Sequence, residues 1–206
     1  YKQNIKQFTP GTYSVYNINN LFTMCLVKEK VFSKPLSIPN NFSNIFSDIE
    51  IENECIKINK SLVDAVKKRV DNTERKIACL LSGGLDSSLI AALVNKYKKT
   101  KEKLSTWSIG LKGSEDLKYA KIVANHIGSD HHEIVVTEKH FLSFIETVIN
   151  SIESYDTTTV RASIGNWLIS KYIKENSDCK VVFNGDGSDE VCGGYMYFHC
   201  VPDNIE

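Results

Sequence analysis

The stretch ACLLSGGLDSS at residues 78–88 decides the fold, because it joins an apolar run to a polar turn that contains two glycines. Residues 77–81 have the length and composition of a buried strand, and residues 87–98 have the periodicity of a helix. A strand that leads through such a turn into a helix is the first part of a parallel β-α-β unit. The sequence therefore predicts an α/β fold around this segment.

Strand-like and helix-like patterns continue to alternate after this unit. Predicted strands at residues 104–111, 132–137 and 180–183 are separated by predicted helices at residues 116–127, 141–152 and 164–174. Right-handed crossovers make such strands parallel and place helices on both faces of the sheet. Ligands are then expected at the carboxyl ends of the strands.

The first 51 residues have a different character. They are rich in Asn, Ser, Thr and aromatic residues and show no sustained helical period, so we expect short strands and loops. Residues 33–44, which contain two prolines, form a predicted linker. Apolar residues spaced three and four apart over residues 51–70 predict an amphipathic helix. We therefore expect one unit at residues 1–50 and a second at residues 51–206.

The composition is that of a globular protein. The chain has 206 residues, and 25 basic residues balance 25 acidic ones. The six cysteines include no CxxC pair, so we expect them to be reduced. Charge balance disfavours a nucleic-acid partner. No apolar run reaches the roughly 18 residues of a membrane span, and residues 1–7 are too polar for a secretory signal. The expected compartment is the cytoplasm, without a membrane partner.

The first polar loop, residues 82–88, has the features of a phosphate-binding turn. Its glycines allow close approach of an anion, its serines add donors, and its backbone N–H groups lead into the positive end of a helix. It lacks the GxxxxGK[ST] pattern of a Walker loop. Because Asp86 would repel a phosphate unless a cation bridged the two, its presence predicts Mg²⁺. The alternative is an ordinary strand-to-helix turn capped by Ser or Asp.

A second polar loop, NGDGSDE at residues 184–190, also follows an apolar run directly. Its three carboxylates, Asp186, Asp189 and Glu190, repel one another unless a cation or a cationic ligand is near. Taken alone, the loop also fits an acidic surface turn. Together with the first loop it predicts the second wall of a nucleotide site, in which Asp86 and Asp189 share the metal.

Four stretches resemble the asparagine synthetase family and occur in that family's order. Residues 82–87 match the SGGxDS pyrophosphate loop of ATP pyrophosphatases, and residues 8–13 resemble the closing strands of the family's N-terminal glutaminase domain. The resemblance implies that residues 51–206 are the N-terminal part of the ATP-pyrophosphatase domain, with a parallel-sheet, Rossmann-like adenine nucleotide α-hydrolase fold. Residues 1–50 would be a β-rich, C-terminal remnant of the glutaminase domain together with the linker. The four stretches are residues 80–88, 116–133, 153–163 and 184–199.

The resemblance also implies a reaction. ATP and aspartate form β-aspartyl-AMP and pyrophosphate, and ammonia then displaces AMP to give asparagine. The ammonia comes from glutamine, which is hydrolysed by the glutaminase domain of the same polypeptide. That hydrolysis needs an N-terminal cysteine, whereas this chain opens with Tyr1. ATP and Mg²⁺ are the implied cofactors, and a homodimer is left open.

Residue roles follow from the same resemblance. Arg161 would neutralise charge on the phosphate or hold the substrate carboxylate, although a surface ion pair is the alternative. The phosphates would be held by Ser82, Gly83, Gly84, Asp86 and Ser87, and Mg²⁺ by Asp86 and Asp189. Adenosine would contact Leu80, Ile109 and Gly185, with Asn184 beside it.

Two positions depart from the family's pattern. Asp186 stands where the family usually has Glu, at a position implicated in aspartyl-adenylate formation and in handling the proton of the incoming amine. Asp is shorter by one methylene, about 1.5 Å of reach, and general-base chemistry is sensitive to displacements of that size. Asn184 replaces the usual Ser, a milder change because backbone can make the expected contact. Asp186 is the predicted catalytic residue.

Two other functions stay open from the sequence. One is another adenylating enzyme with a pyrophosphate loop, either tRNA-modifying or β-lactam-forming. A tRNA enzyme would be expected to carry a basic appended domain or catalytic cysteines, and neither is visible in the sequence. The other is a relative that binds nucleotide without catalysing a reaction.

Overall fold

The computed structural model describes residues 8–20, 23–33 and 47–197. The chain divides into two compact units, Tyr1–Glu52 and Asn53–Glu206. The assignment of residues 1–50 to the end of a glutaminase domain stays a prediction. The predicted linker at residues 33–44 lies outside the described residues, apart from its first residue, Ser33.

The first unit contains the short strands expected from its composition. Strands β1 (Thr12–Ile18) and β2 (Met24–Val31) pair antiparallel, with an irregularity in the register between Val15 and Tyr16. Helix α1 (Asp48–Asp71), most of which belongs to the second unit, starts slightly earlier than predicted, because Ser47 and Glu50 form a capping box. The Glu50 carboxylate accepts from the Ser47 amide at 2.8 Å, and this bond lowers the pKa of Glu50.

The second unit is a parallel sheet with the strand order β5-β4-β3-β6. All three strand pairs are parallel, which confirms the predicted α/β class. Its strands are β3 (Ile77–Leu80), β4 (Ser105–Leu111), β5 (Asp130–Val136) and β6 (Val181–Phe183). Its further helices are α2 (Leu85–Tyr97), α3 (Glu115–Ile127), α4 (Glu138–Leu142), α5 (Ile145–Ile152), α6 (Thr157–Asn176) and α7 (Ser188–Cys192).

Helices cover both faces of this sheet, as predicted. Side chains alternate along a strand, so Cys79 and Ala78 of β3 point to opposite faces. Cys79 packs in a core with residues of α1, α2 and α3. Ala78 packs in a second core with Trp107 of β4 and with Ile169 and Ile173 of α6. No helix within the described ranges is long and apolar enough to cross a membrane.

Three local features differ from the sequence-based expectation. The predicted helix at residues 141–152 is two helices, α4 and α5, because a turn at Ser143 and Phe144 interrupts the helical conformation. Helix α6 begins at Thr157 rather than near residue 164, since Asp156 caps it by accepting from the Thr159 amide at 2.8 Å. The predicted loop at residues 184–190 contains the start of α7.

Strand β3 is the point where the direction of the strand order reverses. From β3 the chain continues to β4 and β5 on one side, and β6 is added on the other side. The loops that follow β3 and β6 therefore start from neighbouring strand ends at the carboxyl edge. Open α/β sheets bind ligands in the crevice that forms at such a reversal.

Candidate functional site

A cavity of about 550 Å³ lies at this carboxyl edge, and both polar loops line it. Gly83 and Gly84 belong to the first loop but are not among the lining residues, and neither is Arg161. The predicted site residues that the structure brings together around the cavity are Leu80, Ser82, Asp86, Ser87, Ile109, Asn184, Gly185, Asp186 and Asp189.

The first loop is held in shape by its own serines. The Ser87 hydroxyl donates to the Gly84 carbonyl oxygen at 3.3 Å and accepts from the Ser82 amide at 3.2 Å. The Ser82 hydroxyl lies 2.9 Å from that of Ser87 and accepts from the Gly84 amide at 3.3 Å. Two backbone N–H groups are thus aimed into the turn and occupied by hydroxyl oxygens. An anion oxygen can take the place of those hydroxyls.

Gly83 lets this loop lie against α3. Its φ is +85°, a conformation that favours glycine, and a Cβ there would lie 2.5 Å from the Ala120 amide nitrogen. Gly84 is the N-cap of α2, in an extended conformation and without a side-chain cap. The glycines therefore serve the backbone path of the loop, which explains why they do not line the cavity themselves.

The second loop touches the first through Gly185. A Cβ on Gly185 would lie 2.7 Å from the Ser87 amide nitrogen and 2.8 Å from the Asp86 carbonyl carbon. Such distances are too short for any real Cβ contact, so only glycine fits. The two loops are consequently in direct backbone contact at the position where β3 and β6 end.

Two hydrogen bonds order side chains of the second loop, one within the loop and one from Tyr195, which follows α7. The Asn184 Nδ2 donates to Asp186 Oδ2 at 2.9 Å. The Tyr195 hydroxyl donates to Glu190 Oε1 at 2.6 Å. This bond lowers the pKa of Glu190 and raises the pKa of Tyr195 to about 12. Glu190 therefore stays charged beside the cavity.

The charge of the cavity wall is one-sided. Five carboxyl side chains line it, and none of the lining residues that the structure describes is Lys, Arg or His. Like charges in one cavity repel one another, and the repulsion grows where water is partly excluded. These five acidic residues are Asp86, Asp116, Asp186, Asp189 and Glu190.

The acidic wall fits a divalent cation. Asp86 and Asp189 line the cavity from different loops, and carboxylate oxygens are the ligands that Mg²⁺ prefers. Among the described residues, no three His, Cys, Asp or Glu side chains form a preformed metal cluster. Mg²⁺ usually binds through one or two carboxylates together with substrate phosphates, so a two-carboxylate arrangement is compatible with it.

One wall of the cavity is apolar. Leu80 and Trp107 line it from neighbouring strands, and Ala162 and Ile169 line it from α6. Trp107 is buried, as expected for a core residue. An apolar slot beside strand ends, where backbone donors and acceptors are available, suits a planar heterocycle.

Arg161 lies in the second turn of α6 and is exposed. Ala162, Asn166 and Ile169 of the same helix line the cavity, at the spacing of one helix face, whereas Arg161 is next to that face. No ion pair involves Arg161 within the described residues, so the alternative of a surface ion pair finds no support there.

Several lining residues were not predicted from the sequence. Asp116 lies within a stretch that resembles the family, so its acidity in the first turn of α3 was the available signal. Asn166 carries no such signal, because it reaches the cavity only through the packing of α6. Tyr195 lies within the family-like stretch 184–199, where the sequence leaves open whether it lines the site or packs, and in the structure it lines the cavity. Ser108 is also new, and its surroundings are specific.

Ser108, on the cavity wall, is bonded to a partly buried histidine of the neighbouring strand. Ser129 donates its hydroxyl to a backbone carbonyl of α3 at 3.3 Å, so Thr106 must donate to Ser129 at 2.8 Å. Thr106 then accepts from Nδ1 of His131 at 3.0 Å, which leaves Nε2 to accept from the Ser108 hydroxyl at 3.2 Å. Burial lowers the pKa of His131 and favours the neutral ring that this pattern needs.

The cysteines agree with the expectation of reduced thiols. Within the described residues, Cys25, Cys55, Cys79, Cys179 and Cys192 are all free. Burial raises the pKa of the Cys79 thiol to about 12, so this cysteine is a packing residue rather than a nucleophile.

The chain is similar to known proteins over nearly its whole length. The family model described as asparagine synthase matches residues 57–204. The glutamine-hydrolysing asparagine synthetase of Bos taurus is 43% identical over 206 residues, 96% of this chain and 36% of the relative. The corresponding enzymes of Homo sapiens and Gallus gallus are 41% and 42% identical with the same coverage. The chain thus spans 36% of the length of these curated relatives.

Among solved structures, the NH3-dependent NAD synthetase from Campylobacter jejuni has a TM-score of 0.47 and 21% sequence identity. The overlay covers 68% of this chain and 59% of that one. At this level of similarity the overlay adds nothing to the assignment of the fold.

Proposed function

The chain belongs to the asparagine synthase family, and on this premise we propose that it takes part in the ATP-dependent amidation of aspartate to asparagine. In this reaction ATP and aspartate give β-aspartyl-AMP and pyrophosphate, and ammonia then releases AMP. The observation that carries the proposal is the backbone contact between the two polar loops at Gly185, beside the acidic cavity. It brings a phosphate-binding turn and a carboxylate-bearing turn to one site.

The first loop would bind the pyrophosphate part of ATP. The amides of Ser82 and Gly84, together with the positive end of α2, provide donors for phosphate oxygens. Before ATP binds, the contact between the hydroxyls of Ser82 and Ser87 would hold the turn in shape. A bound phosphate would separate the two hydroxyls, which would then donate to its oxygens. Gly83 would contribute by allowing the turn to lie on α3.

Asp86 and Asp189 would hold Mg²⁺ between the loops. When bound, the ion supplies charge neutralisation of the polyphosphate and of the carboxylates around it. The argument for it is electrostatic, because five acidic side chains and a polyphosphate in one cavity repel one another strongly without a cation.

The adenosine part would lie against the apolar wall. Leu80 ends β3, Gly185 follows the end of β6, and Ile109 lies in β4 beyond its last residue paired with β3, so backbone groups at these positions would be available for the purine edges. Ser108 would offer only an acceptor to the ligand, since its proton is committed to His131.

Asp186 is proposed to act in aspartyl-adenylate formation and as the base for the incoming amine, and it lies on the cavity wall beside the phosphate loop. Arg161 is proposed to neutralise charge from the rim, because its long exposed side chain starts one residue from the lining residue Ala162. Both roles need the reacting groups to be held within a few tenths of an ångström.

The remaining partners are proposals of the same kind. Ammonia would come from glutamine, through a glutaminase domain of the same polypeptide, and the protein would act in the cytoplasm, with a homodimer left open. The other adenylating enzymes are not favoured, because the matching family model and the relatives are asparagine synthetases.

The test is an assay on the full-length protein with ATP, Mg²⁺, aspartate and ammonia. The expected result is AMP and pyrophosphate in equal amounts, formed only when aspartate is present, together with asparagine. Omission of aspartate and replacement of aspartate by glutamate are the controls. If ATP binds but aspartate elicits neither AMP nor pyrophosphate, the protein is a nucleotide-binding relative and the proposal fails.

A further inference from the structure

Asn184 and Asp186 form a hydrogen-bonded pair across Gly185. The Asn184 Nδ2 donates to Asp186 Oδ2 at 2.9 Å. The amide must be oriented this way, because its oxygen in the same place would face a carboxylate oxygen and could not bond to it. One carboxylate oxygen of Asp186 is therefore held, while the other has no bond to Asn184.

The backbone between the two residues is fixed as well. Gly185 lies against the backbone of Asp86 and Ser87, with no room for a Cβ. The Asp186 carboxylate is thus anchored at its base by the contact between the loops and at its tip by the Asn184 amide. Two anchor points restrict a short side chain far more than its exposure would suggest.

The two departures from the family's pattern compensate in length. A Ser hydroxyl in place of Asn184 ends one bond nearer the backbone, about 1.5 Å short, and would not reach Asp186 at hydrogen-bond distance. A Glu in place of Asp186 extends one methylene further and has the reach that Asp lacks. This chain carries the longer side chain at position 184 and the shorter one at position 186.

We propose that Asn184 is a positioning residue for Asp186, and that its amide supplies the orientation which the shorter carboxylate requires. The inference rests on the proposed function, since it assigns the positioning of the catalytic carboxylate in that reaction. It predicts that the Asn184 amide contributes to kcat when residue 186 is Asp, and that it makes no contribution when residue 186 is Glu.

The experiment is a double-mutant cycle in the full-length protein with Asn184→Ser, Asp186→Glu and the double variant. In the wild-type background, Asn184→Ser is expected to lower kcat for asparagine formation about 10-fold, with the KM for ATP changed less than about 2-fold. In the Asp186→Glu background, the same substitution is expected to change kcat less than about 2-fold. Asn150→Ser, which removes a bond from Asn150 to the Glu146 carbonyl on α5, is the matched control and should leave kcat unchanged.

The outcomes separate this inference from the proposed function. Equal effects of Asn184→Ser in both backgrounds, including no effect in either, would overturn the positioning role while the synthetase function stands. A wild-type protein that forms no asparagine would overturn both. A drop in kcat confined to the Asp186 background supports the inference, because a general loss of loop structure would appear in both backgrounds and would also raise the KM for ATP.

Discussion

Gly185 and Ser87 are in backbone contact, with no room for a side chain between them: a Cβ on Gly185 would lie 2.7 Å from the Ser87 nitrogen. This contact joins the loop after β6 to the loop after β3. Beyond the pairing of β3 with β6, the spacing between the carboxylates of the second loop and the proposed phosphate-binding turn therefore depends on Gly185, a residue without a side chain.

Gly185→Ala is expected to weaken ATP binding at least about 10-fold, because the added Cβ forces the two loops apart by several tenths of an ångström. Isothermal titration of the full-length protein with ATP and Mg²⁺ measures the change. Gly165→Ala, in helix α6, is the control, since the nearest neighbour of the added Cβ would be a Phe141 ring carbon at 3.9 Å, an ordinary contact distance. Unchanged affinity in Gly185→Ala would contradict the role of the contact.

Asp186→Ala is expected to abolish aspartate-dependent pyrophosphate release, because it removes from the cavity wall the carboxylate that is proposed to act in aspartyl-adenylate formation. Asp186→Glu is expected to retain or improve the rate, since it restores the reach of the family's usual residue. A continuous pyrophosphate assay compares the two variants. An alanine variant as active as the wild type would remove Asp186 from the mechanism.

Asp86→Asn and Asp189→Asn are each expected to raise the Mg²⁺ concentration for half-maximal activity about 10-fold or more, because each removes one of two proposed carboxylate ligands. The measurement is pyrophosphate release against Mg²⁺ concentration, with chelator as the zero point. Asp178→Asn is the control, since Asp178 is exposed and makes only a long ion pair of 3.9 Å with Lys76. A Mg²⁺ dependence identical to the wild type in both variants would rule out the shared metal.

The partly buried His131 should make folding stability depend on pH. Burial holds its pKa below the usual 6.5, so the unfolded chain binds a proton that the folded chain resists as the pH falls below about 6.5. Glu133 on the same strand opposes this shift, whereas Lys121 of α3 and the neighbouring His132 add to it. The free energy of unfolding is therefore expected to decrease between about pH 6.5 and pH 5.

His131→Gln should show a shallower decrease over the same range than the wild type, because the titrating group is gone. Urea unfolding at pH 5, 6, 7 and 8 gives the slopes, and His126→Gln, at an exposed position near the end of α3, is the control. Parallel slopes for His131→Gln and the wild type would show that His131 does not contribute.

The main features of fold and site were accessible from the sequence because their signals are local. The apolar run at residues 77–81 and the glycine turn after it define a strand end without reference to the rest of the chain. The same holds for the second loop, and parallel strands then place both ends at one edge. The sequence of the second loop indicated its carboxylates as candidate site residues. It did not indicate the hydrogen bond between Asn184 and Asp186.

What the sequence did not indicate depends on packing between distant segments. Asn166 is one polar residue on a long helix, and only the docking of α6 on the sheet brings it to the cavity. Ser108 lies inside a strand, where a small polar residue by itself indicates no function. Its specific surroundings come from a hydrogen bond to His131 on the next strand. The break between α4 and α5 also escapes periodicity, because Phe144 continues the apolar pattern through it.

The all-acidic lining of the cavity has a practical consequence for work with this protein. The five carboxylates of the cavity would attract the proposed Mg²⁺ ion and repel the proposed nucleotide, so each ligand would raise the affinity of the site for the other by the same factor. In chelating buffer the site would then have little affinity for ATP. A thermal-shift or ligand screen run without a divalent ion would score this protein as a non-binder, and one run with millimolar magnesium would not.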